Sequence, residues 1–546
     1  MLSENALTSF SPLFTQLLGK RNLFDPKEIE AFIAVDLEDL ENPFDMKGMD
    51  EAFELIQKTI REKKKILIHG DYDVDGVTAT ALLARTLTKL GANFFTFLPD
   101  RSADGYGVNE RAIQDAHQKG VSLLITADCG ITALAEISLA RSLGLEVIVI
   151  DHHRIPQEGL PPATVILNPQ QADCPYPFKE LSAAGLAFKL SQALIGPQAF
   201  EFLDLAALST VCDVAPLLGE NRIIVKKGLE LLSERRSLGI RALLQASSLK
   251  AAKINTAHVG FVLGPRINAA GRMSSPEIAL RLLLSESPRE AESLALVLEE
   301  ENKARQKEER RVTREAIEEA ERVVNFNRDR VIVVGRPGWH PGVIGIVASR
   351  LVEKYHRPSI VIAFENGTGK GSGRSIKNFH LFLALEACRD LFEEFGGHEQ
   401  AAGLTMREGN LSLLRSKINS YAKDLDPEIF VRKITADLEI KLEDLNPAFI
   451  REMELLEPYG VGNPRPVFMT RGLVVKAKPE HLTPETLRLW ISDGILTFEA
   501  VCSERLGRNR LPLEKGARLD WVYGIKIKSW NGEQSLVLEV KDIRSS

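Results

Sequence analysis

At 546 residues the chain is too long for one hydrophobic core, and three or four domains are expected. Its 44% hydrophobic and 26% charged content is that of a soluble globular protein; no apolar run approaches the roughly 20 residues of a membrane span, and five scattered cysteines without a CxxC pair argue against a disulfide framework or a zinc-thiolate site. A net charge of -6 speaks weakly against a nucleic-acid partner, but it hides local patches and counts acidic residues that bound cations would discharge.

The start, "MLSENALTSFSPLFTQLLGKR", has Glu4 early and no long apolar core, which argues against a signal peptide and for a reducing cytoplasm. Residues 1–62 read as helical, ending in "MDEAFELIQKTIREKKK". Over 63–285 short apolar runs ("KILIHG", "NFFTFLP", "VSLLITAD", "EVIVIDHH", "ATVILNP") alternate with helical stretches, the signature of a doubly wound parallel sheet in an α/β fold. Continuous rather than alternating hydrophobicity predicts that both faces of that sheet are covered. A long connecting helix is predicted over 286–325, with Ser287, Pro288 and Glu290 forming a capping box and a charged, solvated middle. A second α/β unit follows over 326–430: strand "RVIVVG", helix "GVIGIVASRLVEKY", strand "SIVIAF", a Gly-rich loop "GTGKGSGRS" and a helix "LFLALEACRDLFEEF". Short strands and turns over 431–546, with a hairpin at "WNGEQS", suggest an OB-fold-like β-barrel. Trp490, Trp521, Tyr523 and Trp530 there are candidates for core or for base stacking, core being expected for most.

The chemistry is concentrated in "HGDYDVDG", residues 69–76, where three aspartates and a histidine follow the apolar run "KILI". An Asp-rich loop after a strand is often only a solvated cap. Carboxylates this close nevertheless repel one another unless a cation sits among them. His69, Asp73 and Asp75, with Asp128 in "LLITADCG", His152 in "VIVIDHH" and Asp213 in "VCDVAP", make two imidazoles and four carboxylates, several of them directly after apolar strands. Open α/β sheets bind ligands beyond the C-terminal ends of their strands, so these segments should converge. The mixed nitrogen and oxygen set suits Mn²⁺ or Mg²⁺ better than zinc, and a shared carboxylate could bridge two ions roughly 3.5 to 4 Å apart. Taken singly, Asp128 and Asp213 read equally well as helix caps.

"HGDYDVDG", "TADCG", "DHH" and "TVCDVAPL" resemble the successive motifs of the DHH phosphoesterase superfamily. "GPRINAAGR", "GWHPGVIGIVASRL", "GSGRS" and "GGHEQAAG" resemble its DHHA1 branch, and the whole ordered set, with "LLEPYGVGNPRPVF", resembles the RecJ family of single-stranded-DNA-specific exonucleases. The resemblance implies 5′-to-3′ hydrolysis of phosphodiesters with two Mn²⁺ or Mg²⁺ ions, release of mononucleotides, and a role in DNA repair and recombination. By position in the motifs, His69, Asp73 and Asp128 would hold one ion and Asp75, Asp128, His152 and Asp213 the other. Asp71 would support the ligands, and His153 would contact the scissile phosphate or protonate the leaving oxygen. For substrate, Arg266 and Arg272 flanking Asn268 could present planar forks to phosphate. Ser372 and Arg374 in the Gly-rich loop, with Arg101 in "LPDRSADGYG", would take the terminal phosphate, and His398 in "GGHEQAAG" joins them. Expected partners are single-stranded DNA and a helicase or single-strand-binding protein, with no membrane and a monomeric chain. Two other readings stay open: a DHH enzyme acting on very short oligonucleotides or cyclic dinucleotides, and a catalytically inactive scaffold.

Overall fold

The computed structural model describes residues 10–100, 105, 107–483, 485–503, 506, 513–530 and 533–545. The first sheet has five parallel strands, β1 (Lys65–Gly70), β2 (Asn93–Phe97), β3 (Val121–Ala127), β4 (Glu146–Ile150) and β5 (Val165–Leu167), in the order β2-β1-β3-β4-β5. Its inner strands are largely apolar because each face has its own core. Ile66, Ile68, Leu123, Ile125 and Ile148 pack with helices Val74–Lys89, Ala183–Ile195 and Leu203–Cys212, while Leu67, Leu124, Val147 and Val149 pack with Glu110–Gln118 and Leu134–Ser142. The order reverses direction at β1, so the loops after β1 and β3 open on the crevice where such sheets take ligands.

Helix Pro288–Val323 runs on from this unit, with Pro288 in its first turn and the Ser287 hydroxyl accepting from Glu290 N–H. The capping box is only half made, because the Glu290 carboxylate pairs with Arg281 instead. Nor is the middle of the helix simply solvated. Asn302, Arg305 and Glu309 are buried there, Arg305 and Arg350 both reach Glu309, and Val312, Ala316 and Ala320 enter the core of the second unit. One ion pair of the helix middle is thus buried, while Lys303, Lys307 and Arg310 remain exposed as the composition suggests.

That second unit is a mixed sheet of β6 (Ile332–Pro337), β7 (Ser359–Glu365), β8 (Thr368–Arg374), β9 (Phe392–Gly397) and β10 (Ala401–Arg407), ordered β6-β7-β8-β10-β9. Two expectations are corrected here. The Gly-rich segment is no loop: Gly369, Gly371 and Gly373 alternate along β8 and lie against Phe364, Leu404 and Leu381, where an added Cβ would come within 2.4, 2.6 and 2.8 Å respectively. The period is 2, so Lys370, Ser372 and Arg374 share the opposite face. The helix expected through "LFLALEACRDLFEEF" ends at Glu386, and Phe392–Gly397 instead pairs with β10. Tertiary pairing overrides the local pattern there.

The C-terminal unit holds β11 (Leu438–Glu439), β12 (Val467–Val475), β13 (Glu480–Thr483), β14 (Thr486–Ser492), β15 (Thr497–Ser503), β16 (Arg518–Trp530) and β17 (Glu533–Ser545). They pair in the order β11-β12-β16-β17-β15-β14-β13, and Val474↔Ser492 and Val475↔Ile491 join β12 to β14 as well. Trp530 pairs with Glu533, bracketing the expected hairpin turn, whose residues 531–532 lie outside the described set. Trp521 and Tyr523 are fully buried in its core, whereas Trp490 is exposed.

The first residues do not form a unit of their own. Phe14, Leu17, Leu18 and Ile33, from helices Pro12–Gly19 and Pro26–Ala34, share a core with Phe449, Phe468 and Trp521, far away in sequence. Each such buried side chain stabilises the contact by roughly 1.5 to 3 kcal/mol. Helix Met49–Arg61 packs on the first sheet instead, through Met49, Ala52 and Ile56. Among the described residues no helix is long and apolar enough to cross a membrane.

Candidate metal centre

The Asp-rich turn is built by close backbone approach. A Cβ on Gly70 would lie 2.1 Å from Thr80 Oγ1 and one on Gly76 2.5 Å from Asp71 N, so both positions require glycine. Asp73 caps helix Val74–Lys89 by accepting from Asp75 N–H (2.9 Å) and Gly76 N–H (3.2 Å). Asp75 points across to the N-terminus of helix Ala183–Ile195, where it accepts from Ala183 N–H and Ala184 N–H (both 2.8 Å) and from the Ser209 hydroxyl. Such donors hold a carboxylate in one orientation.

The other acids arrive through unusual backbone. Asp128 sits just after β3 at φ 67°, a left-handed conformation that Asp tolerates. Asp213 is the C-cap of helix Leu203–Cys212, followed by Val214 at φ 64°. Val214 N–H donates to Val211 O and Ala215 N–H to Thr210 O, the double bond of a Schellman turn whose left-handed residue is ordinarily glycine. A β-branched residue there stores strain on the order of 1 to 3 kcal/mol. His152 Nε2 lies 3.3 Å from Asp128 Oδ1, 3.6 Å from Asp75 Oδ2 and 3.8 Å from Asp213 Oδ2.

Three ligand groups result: Asp71, Asp73 and Asp128; Asp75, His152 and Asp213; and Asp128, His152 and His153. Within each, the donor atoms lie no more than 4.8 Å apart. Asp128 belongs to two groups, as a bridging carboxylate must. Asp71, expected only to support the ligands, can itself offer an oxygen. This set of hard oxygens with a minority of imidazoles fits Mn²⁺ or Mg²⁺. His69 is buried at the end of β1, its ring against Phe97 and its Nδ1 3.9 Å from Cys129 Sγ, outside these three groups.

Charge crowding is severe. Burial, then Asp75, Asp73 and Asp71, push the Asp128 carboxyl well above its ordinary range. Burial and Asp75 raise Asp73, and burial with Asp75 and Asp73 raises Asp213 to about 8. Divalent cations would relieve this repulsion.

Asp151, the first letter of "DHH", was given no role by the motif pattern, yet it orients its neighbour. Its Oδ1 accepts from both the backbone N–H (3.0 Å) and Nδ1 (2.7 Å) of His153, and its Oδ2 from Ile131 N–H (2.9 Å). Burial disfavours the His153 imidazolium, but the hydrogen bond and charge of Asp151, then Asp213 and Asp75, more than offset it and raise His153 to about 9. Burial likewise opposes the charged form of Asp151, yet its bonds from His153 and Ile131 bring its pKa below the ordinary value. The signal was local: an acid two residues before a histidine can form an Asx turn.

These shifts predict a pH dependence of metal-free stability. His153 is raised from 6.5 to about 9, so its contribution is complete below pH 6.5 and lost as pH rises through about 9. Asp213 is raised from 3.8 to about 8, so folding favours its protonated form and that advantage is lost between those values. The folded chain binds more protons than the unfolded one across this window, and stability falls as pH rises. In EDTA the thermal midpoint should drop by several degrees between about pH 6 and pH 9, and saturating Mn²⁺ should flatten the slope. An unchanged midpoint in EDTA would mean that these groups do not hold the protons.

Of the residues expected at the substrate, Asn268 Oδ1 accepts from Val74 N–H (3.2 Å) and so braces the Asp-rich turn. Arg266 is placed differently from expectation. It donates to Glu299 (2.6 Å) and Val262 O (2.7 Å), locking helix Gly264–Met273 to the long helix. Arg272 donates to Gly342 O (3.1 Å) in the second unit. Six residues on a helix separate the two arginines by about 120°, so they project from different sides of helix Gly264–Met273. Ser372 Oγ accepts from Arg374 Nη1 (3.1 Å), and both lie close to Gly345 in the first turn of helix Ile344–Tyr355. His398, in the β9–β10 turn, is held below its ordinary pKa by burial and then by the charges of Arg374 and Arg154, with His153 contributing as well. The second unit therefore faces the metal loops of the first. Arg101 lies outside the described residues.

A cleft of about 1800 Å³ opens between the units, lined by Cys212, Val214, Phe261, Asn268 and Arg272 of the first unit, Arg310 and Arg314 of the long helix, Arg350 of the second unit, and Tyr459, Arg465, Thr486 and Ser503 of the C-terminal unit.

Comparison with known proteins agrees with this architecture. Residues 65–210 match the DHH family, N-terminal domain, residues 328–424 the DHHA1 domain and residues 436–542 the RecJ OB domain. The single-stranded-DNA-specific exonuclease RecJ of Bacillus subtilis is 40% identical over 536 residues, covering 97% of this chain and 68% of that protein. Its counterpart in Escherichia coli is 35% identical over 84% of this chain and 83% of that protein. The crystal structure of RecJ in complex with Mn²⁺ from Thermus thermophilus superposes with a TM-score of 0.84 at 32% identity, covering 100% of this chain and 77% of that one; a complex with Mg²⁺ gives 0.78 at 30%, covering 100% of this chain and 76% of that one. With its metal-type centre, its three matched domains and these relatives, the chain belongs to the RecJ family of single-stranded-DNA-specific exonucleases.

Proposed function

We propose that the chain removes 5′-mononucleotides stepwise from the 5′ end of single-stranded DNA, using two Mn²⁺ or Mg²⁺ ions. Asp71, Asp73 and Asp128 would hold one ion, with His69 beside them, and Asp75, Asp128, His152 and Asp213 the other. Bound there, two cations activate a water and steady the attacking and leaving oxygens of an in-line displacement. His153 keeps its Nδ1 proton on Asp151, which leaves Nε2 to carry a proton toward the departing oxygen at neutral pH.

The cleft carries the reading furthest, because it runs from the residues around Asp213 to the C-terminal sheet. Arg310, Arg314 and Arg465 can follow phosphates along it, while Phe261, Val214 and Tyr459 present faces to unstacked bases. A dinucleotide needs no track of that length, which disfavours small substrates. A natural strand has phosphate at its 5′ end and hydroxyl at its 3′ end, so the Arg374 and Ser372 pair, on the unit that faces the metal loops, supports 5′ polarity. The proposed setting is cytoplasmic DNA repair and recombination, with a helicase or single-strand-binding protein supplying the strand. End-labelled single strands incubated with and without Mn²⁺ test the activity. Label released first as mononucleotide from the 5′ end is expected, and release from the 3′ end would overturn the polarity.

Arg374→Ala should weaken binding of 5′-phosphorylated strands by on the order of 1 to 3 kcal/mol, and of 5′-hydroxyl strands by much less. Donors set to satisfy a terminal phosphate lose that partner when the group is absent. Affinities of both strands for wild type and variant decide it, and equal losses would make Arg374 a general backbone contact.

A further inference from the structure

The segment "LLEPYGVGNPRPVF" is not a passive linker to the C-terminal unit. Its turn is tied to itself, with Gly460 N–H donating to Asn463 O (2.9 Å) and the Asn463 amide to Leu456 O (2.7 Å) and Pro458 O (3.0 Å). It is then seated on the first unit directly beyond Asp213. Leu217 N–H donates to Val461 O (2.7 Å), Gly460 lies on the Leu217 side chain, and Gly462 lies on Leu218 and Pro216. Thr256 donates to Tyr459 O (2.8 Å).

Behind the turn, Arg222 is 2% exposed, and its guanidinium donates to Phe32 O (2.7 Å), Leu456 O (3.0 Å), Leu455 O (3.1 Å) and Glu457 O (2.8 Å). A buried cation given wholly to backbone carbonyls of two distant segments fixes their relative position. Between this fastening and the metal loops stands Val214, left-handed against its preference, with four residues from Asp213 to the bonded Leu217. Strain of this kind persists only where the surroundings over-determine it.

We propose that the turn Glu457–Asn463, anchored by Arg222, is a positioning device for Asp213, so that docking of the C-terminal unit sets the affinity of the Asp75–His152–Asp213 ion site. The proposal rests on the two-ion function given above. Gly460 has no room for a side chain: a Cβ there would meet Leu217 Cδ1 at 2.6 Å, so Gly460→Ala pushes on the Asp213 loop without touching any ligand. Val461 and Tyr459 also line the cleft, so a strand lying in it would press on the same turn.

The test is calorimetric titration of the full chain with Mn²⁺, which reads ion binding apart from hydrolysis. Wild type should bind two ions, and a single ion in wild type would overturn the two-ion reading itself. In Gly460→Ala and in Arg222→Lys, one of the two ions should bind at least five-fold less tightly while the other is unchanged, with far-UV circular dichroism preserved. Asp213→Asn marks which ion this is by weakening the same one. Val214→Gly, which relieves the backbone strain, should make that ion less sensitive to Gly460→Ala. Two wild-type affinities retained in a folded Gly460→Ala protein would overturn the positioning role, as would equal weakening of both ions.

Discussion

Asp128→Asn should lower turnover on single-stranded DNA by on the order of 10³-fold or more at saturating Mn²⁺, while leaving the metal-free protein as stable as wild type or more so. Asparagine accepts the left-handed backbone at this position and nearly preserves the shape of the side chain, so the substitution removes charge and little else. Asp128 shares one ligand group with Asp71 and Asp73 and lies 3.3 Å from the His152 of the other site, so a carboxylate there can serve both ions, and losing several kcal/mol of charge stabilisation in the transition state corresponds to about three decades in rate. Without metal the same carboxylate is buried and repelled by Asp75, Asp73 and Asp71, and removing it relieves that repulsion. Single-turnover rates beside thermal unfolding in EDTA provide both readings. Retention of a tenth of the rate would show that Asp128 does not bridge, and a large loss of metal-free stability would show that its role is structural.

The second large effect is expected at Asp151, which does not belong to any of the three ligand groups. Asp151→Asn removes the charge and hydrogen bond that favour the His153 imidazolium and fix its ring, so its pKa should fall toward the ordinary 6.5. Near pH 8 most His153 would then lack the proton for the leaving oxygen, and turnover should fall on the order of 10²-fold. The signature is in the pH profile: the alkaline limb moves to lower pH by at least about one unit, and lowering the pH recovers part of the rate. A rate loss with the limb in place would mean that His153 is not the proton donor. Mn²⁺ affinity should change little, which separates this effect from loss of a ligand.

Much of this protein was determined by local sequence alone. Continuous apolar strands alternating with helices pointed to a covered parallel sheet, and their common chemistry at the C-terminal ends followed from the geometry of that fold. The ligand types pointed to hard divalent cations, because crowded carboxylates repel one another unless a cation or a proton discharges them. Where local pattern was misleading, a longer-range interaction had decided. The alternating glycines of β8 read as a flexible loop until Phe364, Leu404 and Leu381 are seen to fill the space that side chains would need. The charged middle of Pro288–Val323 read as solvated, yet Arg305 and Glu309 are buried there and paired, with the exposed Arg350 reaching Glu309 from the second unit. Arg266 and Arg272 each read as a fork for phosphate, and in the fold Arg266 pairs with Glu299 while Arg272 reaches Gly342 O of the second unit. What only the tertiary structure decided is which distant segments share a core and a boundary. Phe14 packs near Trp521, and the turn at Gly460 rests on the loop of Asp213, because burial of apolar surface and satisfaction of backbone carbonyls are indifferent to separation along the chain.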